Sequence, residues 1–304
     1  MSDWSDSLYE LIRRTSTDLP TDVEDALKAA AGREEPDSNA ARTLATILEN
    51  ARLARDKQQP LCQDTGSLLL WVDAPAGLAH AVFERELGAA VERATQDGIL
   101  RQNCVDPLTG CNTGNNLGPG SPCIHWHEQP GDTVDVALIL KGGGCENVGI
   151  QYALPDTSLG AGRDLAGVRT CLLDAVWRAQ GRGCAPGVLG VCIGGDRATG
   201  YAESKRQLLR TLGERSETPA LADLENDLLE AANSLGIGPM GLGGETTILD
   251  LFVGALGRVP ASYFVSVSYM CWAFRRRRVS MSLDGKITGA TVPVRSRRSA
   301  FTIR

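Results

Sequence analysis

Apolar, β-branched-rich runs that stop on consecutive glycines place the strongest limit on how this chain can fold. Thr133-Val134-Asp135-Val136-Ala137-Leu138-Ile139-Leu140 leads into Lys141-Gly142-Gly143-Gly144-Cys145-Glu146-Asn147. A shorter run at 187–193 leads into Ile193-Gly194-Gly195-Asp196. A third stretch, Gly236-Ile237-Gly238-Pro239-Met240-Gly241-Leu242-Gly243-Gly244, precedes Thr246-Thr247. Strands ending this way present backbone N–H groups, which can cradle carboxylate or phosphate oxygens. For any single loop a tight turn with positive φ is the competing reading. None of the stretches has P-loop or dinucleotide spacing, so nucleotide binding is disfavoured. Three such loops in one chain favour a site for a small anion.

The rest of the chain is a mixture of helical and strand-like patterns. Residues 1–58 read as helical, with Thr21 capping 22–31 and Ser38 capping a longer helix through Asp56. On that helix Ala41, Leu44, Ile47, Leu48 and Leu53 fall roughly on one face. Strands are expected at 68–74, 133–140, 187–193, 246–256, 262–270 and 277–282, and helices at 77–97, 163–180, 197–213 and 218–235. No low-complexity linker or internal repeat interrupts this pattern. The expectation is one large mixed α/β (α+β) domain over 1–304, with a helical N-terminal region and mixed sheets flanked by helices.

A net charge of −6 gives no reason to expect nucleic acid or an anionic membrane as partner. No apolar run approaches 18 residues and the N-terminus does not read as a signal peptide, so a cytoplasmic setting is expected. The nine cysteines are odd in number, irregularly spaced and without a CxxC pair. That favours reduced thiols or metal ligands over disulfides, and argues against a zinc ribbon.

Several residues are candidates for chemistry. Pro60-Leu61-Cys62-Gln63-Asp64-Thr65-Gly66 sets a thiol, an amide, a carboxylate and a hydroxyl side by side before an apolar run. A metal ligand beside a proton donor is one reading; a small buried cysteine is the other. The polar stretch from Leu100 to Asn116 lacks helical or strand period, as an ordered functional loop would. Within it, Arg101 suits either a substrate carboxylate, through its planar fork, or a surface salt bridge. Arg275-Arg276-Arg277-Arg278 reads as mostly structural, with Arg275 the best candidate for function. Three histidines, His80, His125 and His127, make a central histidine relay unlikely.

Taken together, these motifs resemble the iron–sulfur (class I) fumarase and tartrate dehydratase family, in its larger N-terminal or alpha portion. The resemblance rests on Cys62-Gln63-Asp64-Thr65-Gly66, Asn112-Thr113-Gly114, Gly142-Gly143-Gly144-Cys145 and Cys184-Ala185-Pro186-Gly187 leading to Gly194-Gly195. It continues through Gly236-Ile237-Gly238-Pro239 to Tyr269-Met270-Cys271-Trp272-Ala273. These elements occur in family order over about residues 40–285. Two positions depart from the pattern. Val259 stands where some members carry histidine, and Gly243-Gly244-Glu245 where relatives often have a basic residue.

The resemblance implies a hydro-lyase that adds water to fumarate to give malate, as in the tricarboxylic acid cycle. Tartrate dehydration is the alternative substrate reading, and an iron–sulfur redox or sensor protein the alternative outside enzymes. It implies a [4Fe–4S] cluster held by Cys62, Cys184 and Cys271, with one iron left open because a fourth thiolate is lacking. Cys145 is then a loop-lining residue. Asp64 would donate a proton to the leaving oxygen, and Gln63 would orient substrate or water. Arg101, Gly144 and Arg275 would bind the small dicarboxylate. The resemblance stops near residue 285, before a basic tail, which implies a separate beta subunit and a dimer of αβ pairs. An exposed apolar patch around Val265, Val267 and Trp272 is expected at that interface.

Overall fold

A computed structural model describes residues 4–290; the basic tail from 291 onward lies outside them. The described chain is a mixed α/β fold in two compact units. One comprises residues 4–20, 49–143 and 273–290, and the other 21–48 and 144–272. Over the described residues the chain passes between them four times without a shift in composition, which is why no boundary shows in the sequence.

Helices α1 (Trp4–Thr17), α2 (Thr21–Ala31) and α3 (Asn39–Lys57) make up the helical start. Ser38 caps α3 as expected: its Oγ accepts from the Ala41 N–H at 3.0 Å. The buried stripe of α3 is Ala40, Leu44, Ile47, Ala51 and Ala54. Leu53, expected on that face, is instead exposed. Small alanines at i+4 and i+7 steps mark the stripe better than the leucines do.

The first unit is built on a sheet of β1 (Ser67–Ala74), β2 (Cys123–Glu128), β3 (Thr133–Lys141), β8 (Arg276–Ser282) and β9 (Ile287–Ala290), in the order β2-β1-β3-β8-β9. Only β1–β2 is parallel. Helix α1 and α4 (His80–Gln96) cover one face. There Leu8, Ile12, Phe83 and Leu87 meet Leu68, Leu70, Val136 and Leu138, whose two-residue spacing puts them on one side of the strands. The arginine run forms the start of β8, with Arg276, Arg277 and Arg278 opposite Ile139, Leu138 and Ala137. Arg275 and Arg276 are buried. A solvated face, the usual fate of such a run, is therefore not what this sequence makes.

The second unit contains α5 (Gly143–Asn147, continuing from the first), β4 (Ile150–Ala153), α6 (Leu165–Ala179), β5 (Gly187–Gly194), α7 (Arg197–Gln207), α8 (Pro219–Asn233), β6 (Ile248–Leu256) and β7 (Phe264–Met270). Its sheet runs β4-β7-β5-β6, with β5 and β6 parallel. Val265 and Val267 lie in the core between this sheet and α6, so they are not the exposed patch expected of them. Strands β2, β4 and β9 are not apparent from the sequence, being short, polar or both. The stretch after Gly142 is a turn of helix rather than an open loop.

Glu225 of α8 is fully buried and accepts from Arg210 Nη1 at 2.7 Å, Ser216 N–H at 2.8 Å and Val253 N–H at 2.7 Å. Arg210 also stacks on Phe252. Glu225→Ala would take from Arg210 its shortest ion-pair partner and leave two N–H groups without this acceptor, at a cost of about 3–5 kcal/mol. Chemical denaturation of the variant measures this; a loss below ~1 kcal/mol would show that the network is solvated on opening.

Candidate functional site

In the first unit the residues before β1 are tied down from both sides. The Leu61 N–H donates to Ser16 O at 2.9 Å, and Asn50 Nδ2 donates to Leu61 O at 2.9 Å. Cys62 is partly exposed and Gln63 exposed. Asp64 is half-buried, and its carboxylate joins three segments. Its Oδ1 accepts from the Gly66 N–H at 3.1 Å and Asn103 Nδ2 at 3.2 Å, and its Oδ2 accepts from the Gly143 N–H at 2.7 Å. Two glycines allow that approach. Gly66 has φ +82°, and a Cβ there would lie 2.5 Å from the Lys141 carbonyl carbon. A Cβ on Gly142 would stand 2.9 Å from Asp64 Oδ2 and 3.7 Å from Arg275 Nη2.

The polar stretch is ordered around Asn116, which is 3% exposed. Its Oδ1 accepts from the Asn103 N–H at 2.7 Å, and its Nδ2 donates to Arg101 O at 2.7 Å. The Arg101 N–H donates to Thr65 Oγ1 at 3.0 Å, so the backbone of Arg101 is held while its side chain is exposed. Arg101 makes no ion pair among the described residues, which leaves the salt-bridge reading without support. Arg275 is 1% exposed, and its Nε and Nη1 are buried without a hydrogen-bond partner. Desolvated guanidinium donors without an acceptor are costly and mark a place for an anion. Lys141, 2% exposed, adds a third buried cation to this unit beside Arg275 and Arg276.

Asn103, Asn116 and Lys141 were not singled out in the sequence. The density of asparagine in the polar stretch was a signal for the first two. Nothing in the sequence marked Lys141, which reads as the end of a strand.

In the second unit Cys184 and Cys271 come together. The Trp272 N–H donates to Cys184 O at 3.2 Å, and the Cys184 N–H donates to Gly181 O at 3.0 Å. Cys184 holds left-handed backbone, φ 53° and ψ 60°, which a cysteine adopts only when its surroundings impose it. The glycine-rich third loop braces this turn: the Met240 N–H donates to Ala185 O at 2.8 Å. The tyrosine at 269 has its proton held well above the ordinary range, first by burial and then by the Cys271, Cys145 and Cys184 thiols. Burial pushes Cys171 and Cys192 up to about 12, which keeps both as thiols and unsuited to ligation at neutral pH. No cysteine is in a disulfide. Among the described residues, no group of three or more His, Cys, Asp or Glu is gathered to hold a metal ion.

Gly144 is exposed in the first turn of α5 and, with Asn147, Arg178 and Arg182, borders a cavity of about 320 Å³. A larger cavity of about 460 Å³, lined by Gly194, Arg258 and Tyr263, opens at the end of β5 remote from Cys184. At that end the Gly194-Gly195-Asp196 turn is a helix cap. Asp196 accepts from the Ala198 and Thr199 N–H groups, so this loop offers no open cradle.

Among the described residues no helix is long and apolar enough to cross a membrane. The family model for fumarate hydratase (fumerase) matches residues 5–280. A Geobacillus stearothermophilus protein named "Putative fumarate hydratase class I" is 50% identical over 89% of the chain, which spans only 53% of that relative. A Methanocaldococcus jannaschii protein named "Putative L(+)-tartrate dehydratase subunit alpha" is 35% identical over 93% of the chain and 99% of its own length. An Escherichia coli protein named "L(+)-tartrate dehydratase subunit alpha" is 33% identical over 88% of each. The chain belongs to the fumarate hydratase family.

Proposed function

We propose that this chain is the alpha portion of an iron–sulfur hydro-lyase that interconverts fumarate and malate. The observation that carries the reading is the buried Arg275 guanidinium, whose Nε and Nη1 lack acceptors in the same unit as the tethered Asp64 carboxylate. A small dicarboxylate supplies the missing acceptors. The 50% identity to a protein named for fumarate hydration supports fumarate over tartrate. Tartrate dehydration is the second reading, supported by the relatives named for it.

A cluster held by three cysteines is the cofactor this reading calls for. Cys184 and Cys271 are joined through the Trp272 N–H, Cys184 and Cys62 are partly exposed, and none of the three is in a disulfide. Cys62, Cys184 and Cys271 would hold the [4Fe–4S] group. When bound, such a group supplies Lewis acidity to the substrate hydroxyl and carboxylate. Asp64 gives a proton from its carboxyl to the departing hydroxyl, and its three hydrogen bonds fix the direction of that transfer. Gln63, exposed beside it, orients the substrate. Arg101 and Arg275 pair with the carboxylates, and the Gly144 N–H contributes one more donor.

The relatives named as alpha subunits support a beta chain as partner; a dimer of αβ pairs is the assembly proposed on symmetry grounds. Met240 and Leu242, exposed on the loop that braces Cys184, are apolar surface available to such a partner. Alone, the reconstituted chain is expected to show negligible hydratase activity, and a beta chain is expected to restore it. The test is an anaerobic assay on fumarate, malate and tartrate, with and without that chain. Full turnover on fumarate by the isolated chain would refute the two-subunit reading, and turnover on tartrate alone would refute the substrate.

A further inference from the structure

Tyr269 is used by none of the roles above, yet its position is unusually constrained. It is 3% exposed and lies on β7 opposite Leu189 of β5. The chain runs on two residues to Cys271, one past the end of β7. Its ring is pressed against the turn that carries Cys184. A Cβ on Gly183 would stand 2.4 Å from Tyr269 Cε1, and a Cβ on Gly187 would stand 2.2 Å from both Cζ and Oη. Neither glycine has positive φ, so the backbone itself does not demand glycine at 183 or 187. The ring excludes a side chain at both places. Between them Cys184 is held in left-handed backbone, a conformation that persists only where neighbours impose it.

We infer that Tyr269 is a positioning residue for the Cys184–Cys271 pair. Its ring, wedged against Gly183 and Gly187, fixes the Cys184 turn relative to the end of β7, so that both thiols are presented together to an iron–sulfur cluster. The role rests on the cluster reading and on packing, with no part for the phenol proton. Without the ring, the Trp272 N–H bond to Cys184 O is the tie that remains between the turn and the end of the strand. The turn then relaxes toward ordinary backbone and swings the Cys184 Sγ away from Cys271.

The test uses the full chain, reconstituted anaerobically with iron and sulfide. The variants are Tyr269→Phe, Tyr269→Leu, Gly187→Ala, and Gly187→Ala combined with Tyr269→Leu. Leu172→Ala, in the same core and 1% exposed, controls for lost packing alone. The readouts are the loss of visible absorbance after addition of an iron chelator and the electron paramagnetic resonance of the reduced cluster. Tyr269→Leu and Gly187→Ala are expected to lose the cluster about 10-fold faster, the usual scale for residues that orient ligands. Tyr269→Phe keeps the ring and stays within about twofold of the parent. The double variant is no worse than Tyr269→Leu alone, because removing the ring makes room for the new methyl group. Leu172→Ala lowers thermal stability and leaves the rate unchanged.

A rate for Tyr269→Leu no faster than for Leu172→Ala overturns the inference, as does a double variant whose losses simply add. A parent chain that takes up no cluster overturns the cluster reading instead. In that event the inference is judged on metal-free chain, by the iodoacetamide alkylation rates of Cys184 and Cys62 read by mass spectrometry. Tyr269→Leu should change the Cys184 rate about 10-fold and leave Cys62 unchanged; equal rates overturn it.

Discussion

Cys184→Ser is expected to abolish the broad visible absorption of the anaerobically reconstituted protein, and all hydratase turnover with it. Cys62→Ser and Cys271→Ser should do the same. A serine hydroxyl is a harder and far less acidic ligand than a thiolate, and iron–sulfur ligation depends on soft sulfur donors. With only three thiolates, there is no spare ligand to cover a loss. Cys145→Ser is the discriminating control. It is 4% exposed and lies in the same unit as Cys184 and Cys271, so burial alone would make it an equal candidate. It lies within the short helix α5, whereas Cys184 and Cys271 are joined directly through the Trp272 N–H. Cys145→Ser should therefore keep the cluster spectrum. Bleaching by Cys145→Ser together with an intact spectrum in Cys184→Ser would overturn the ligand set. Cys171→Ser and Cys192→Ser serve as further controls, since burial keeps both thiols protonated.

The second large effect is expected at Asp64. Asp64→Asn should retain fold and cluster but lose about 10²–10⁴ in turnover, the range for removal of a general acid. The loss should appear equally in kcat and kcat/KM, because the proton is needed only in the transition state. The local structure sets a competing expectation. Asp64 accepts from Gly66, Asn103 and Gly143, so it also pins the start of β1 to two other segments. Asparagine keeps one oxygen acceptor and turns an NH₂ group toward the remaining donor, costing about 1–3 kcal/mol. Asn103→Ala removes one of those tethers without touching the carboxylate, and should cost far less turnover. Unfolding of Asp64→Asn, or a turnover loss matched by Asn103→Ala, would make Asp64 a structural tie and leave the proton donor unassigned.

Local pattern carried most of the fold. Continuous apolar runs, β-branched-rich in β3, marked β1 and β3, and one face of the sheet they form is covered by α1 and α4. Ser38 announced the start of α3, because a hydroxyl there satisfies an N–H that the helix cannot. The motifs around Cys62, Cys184 and Cys271 placed the chain in its family. What the sequence could not determine was convergence, since a period says which face a residue shares and not what that face meets. Val265 and Val267 looked like surface and became core once β7 was flanked by β4 and β5. Four consecutive arginines read as mostly structural; three of them form the start of a strand paired to β3, and Arg275 just before it is buried with its Nε and Nη1 lacking acceptors. The tethering of Asp64 by three donors, and the wedge of Tyr269 against glycines more than 80 positions away, exist only in the folded chain. Sequence spacing sets local geometry through bonds already made; burial and hydrogen-bond partners between distant segments depend on the packing of whole elements, which decides where charge is desolvated and what answers it.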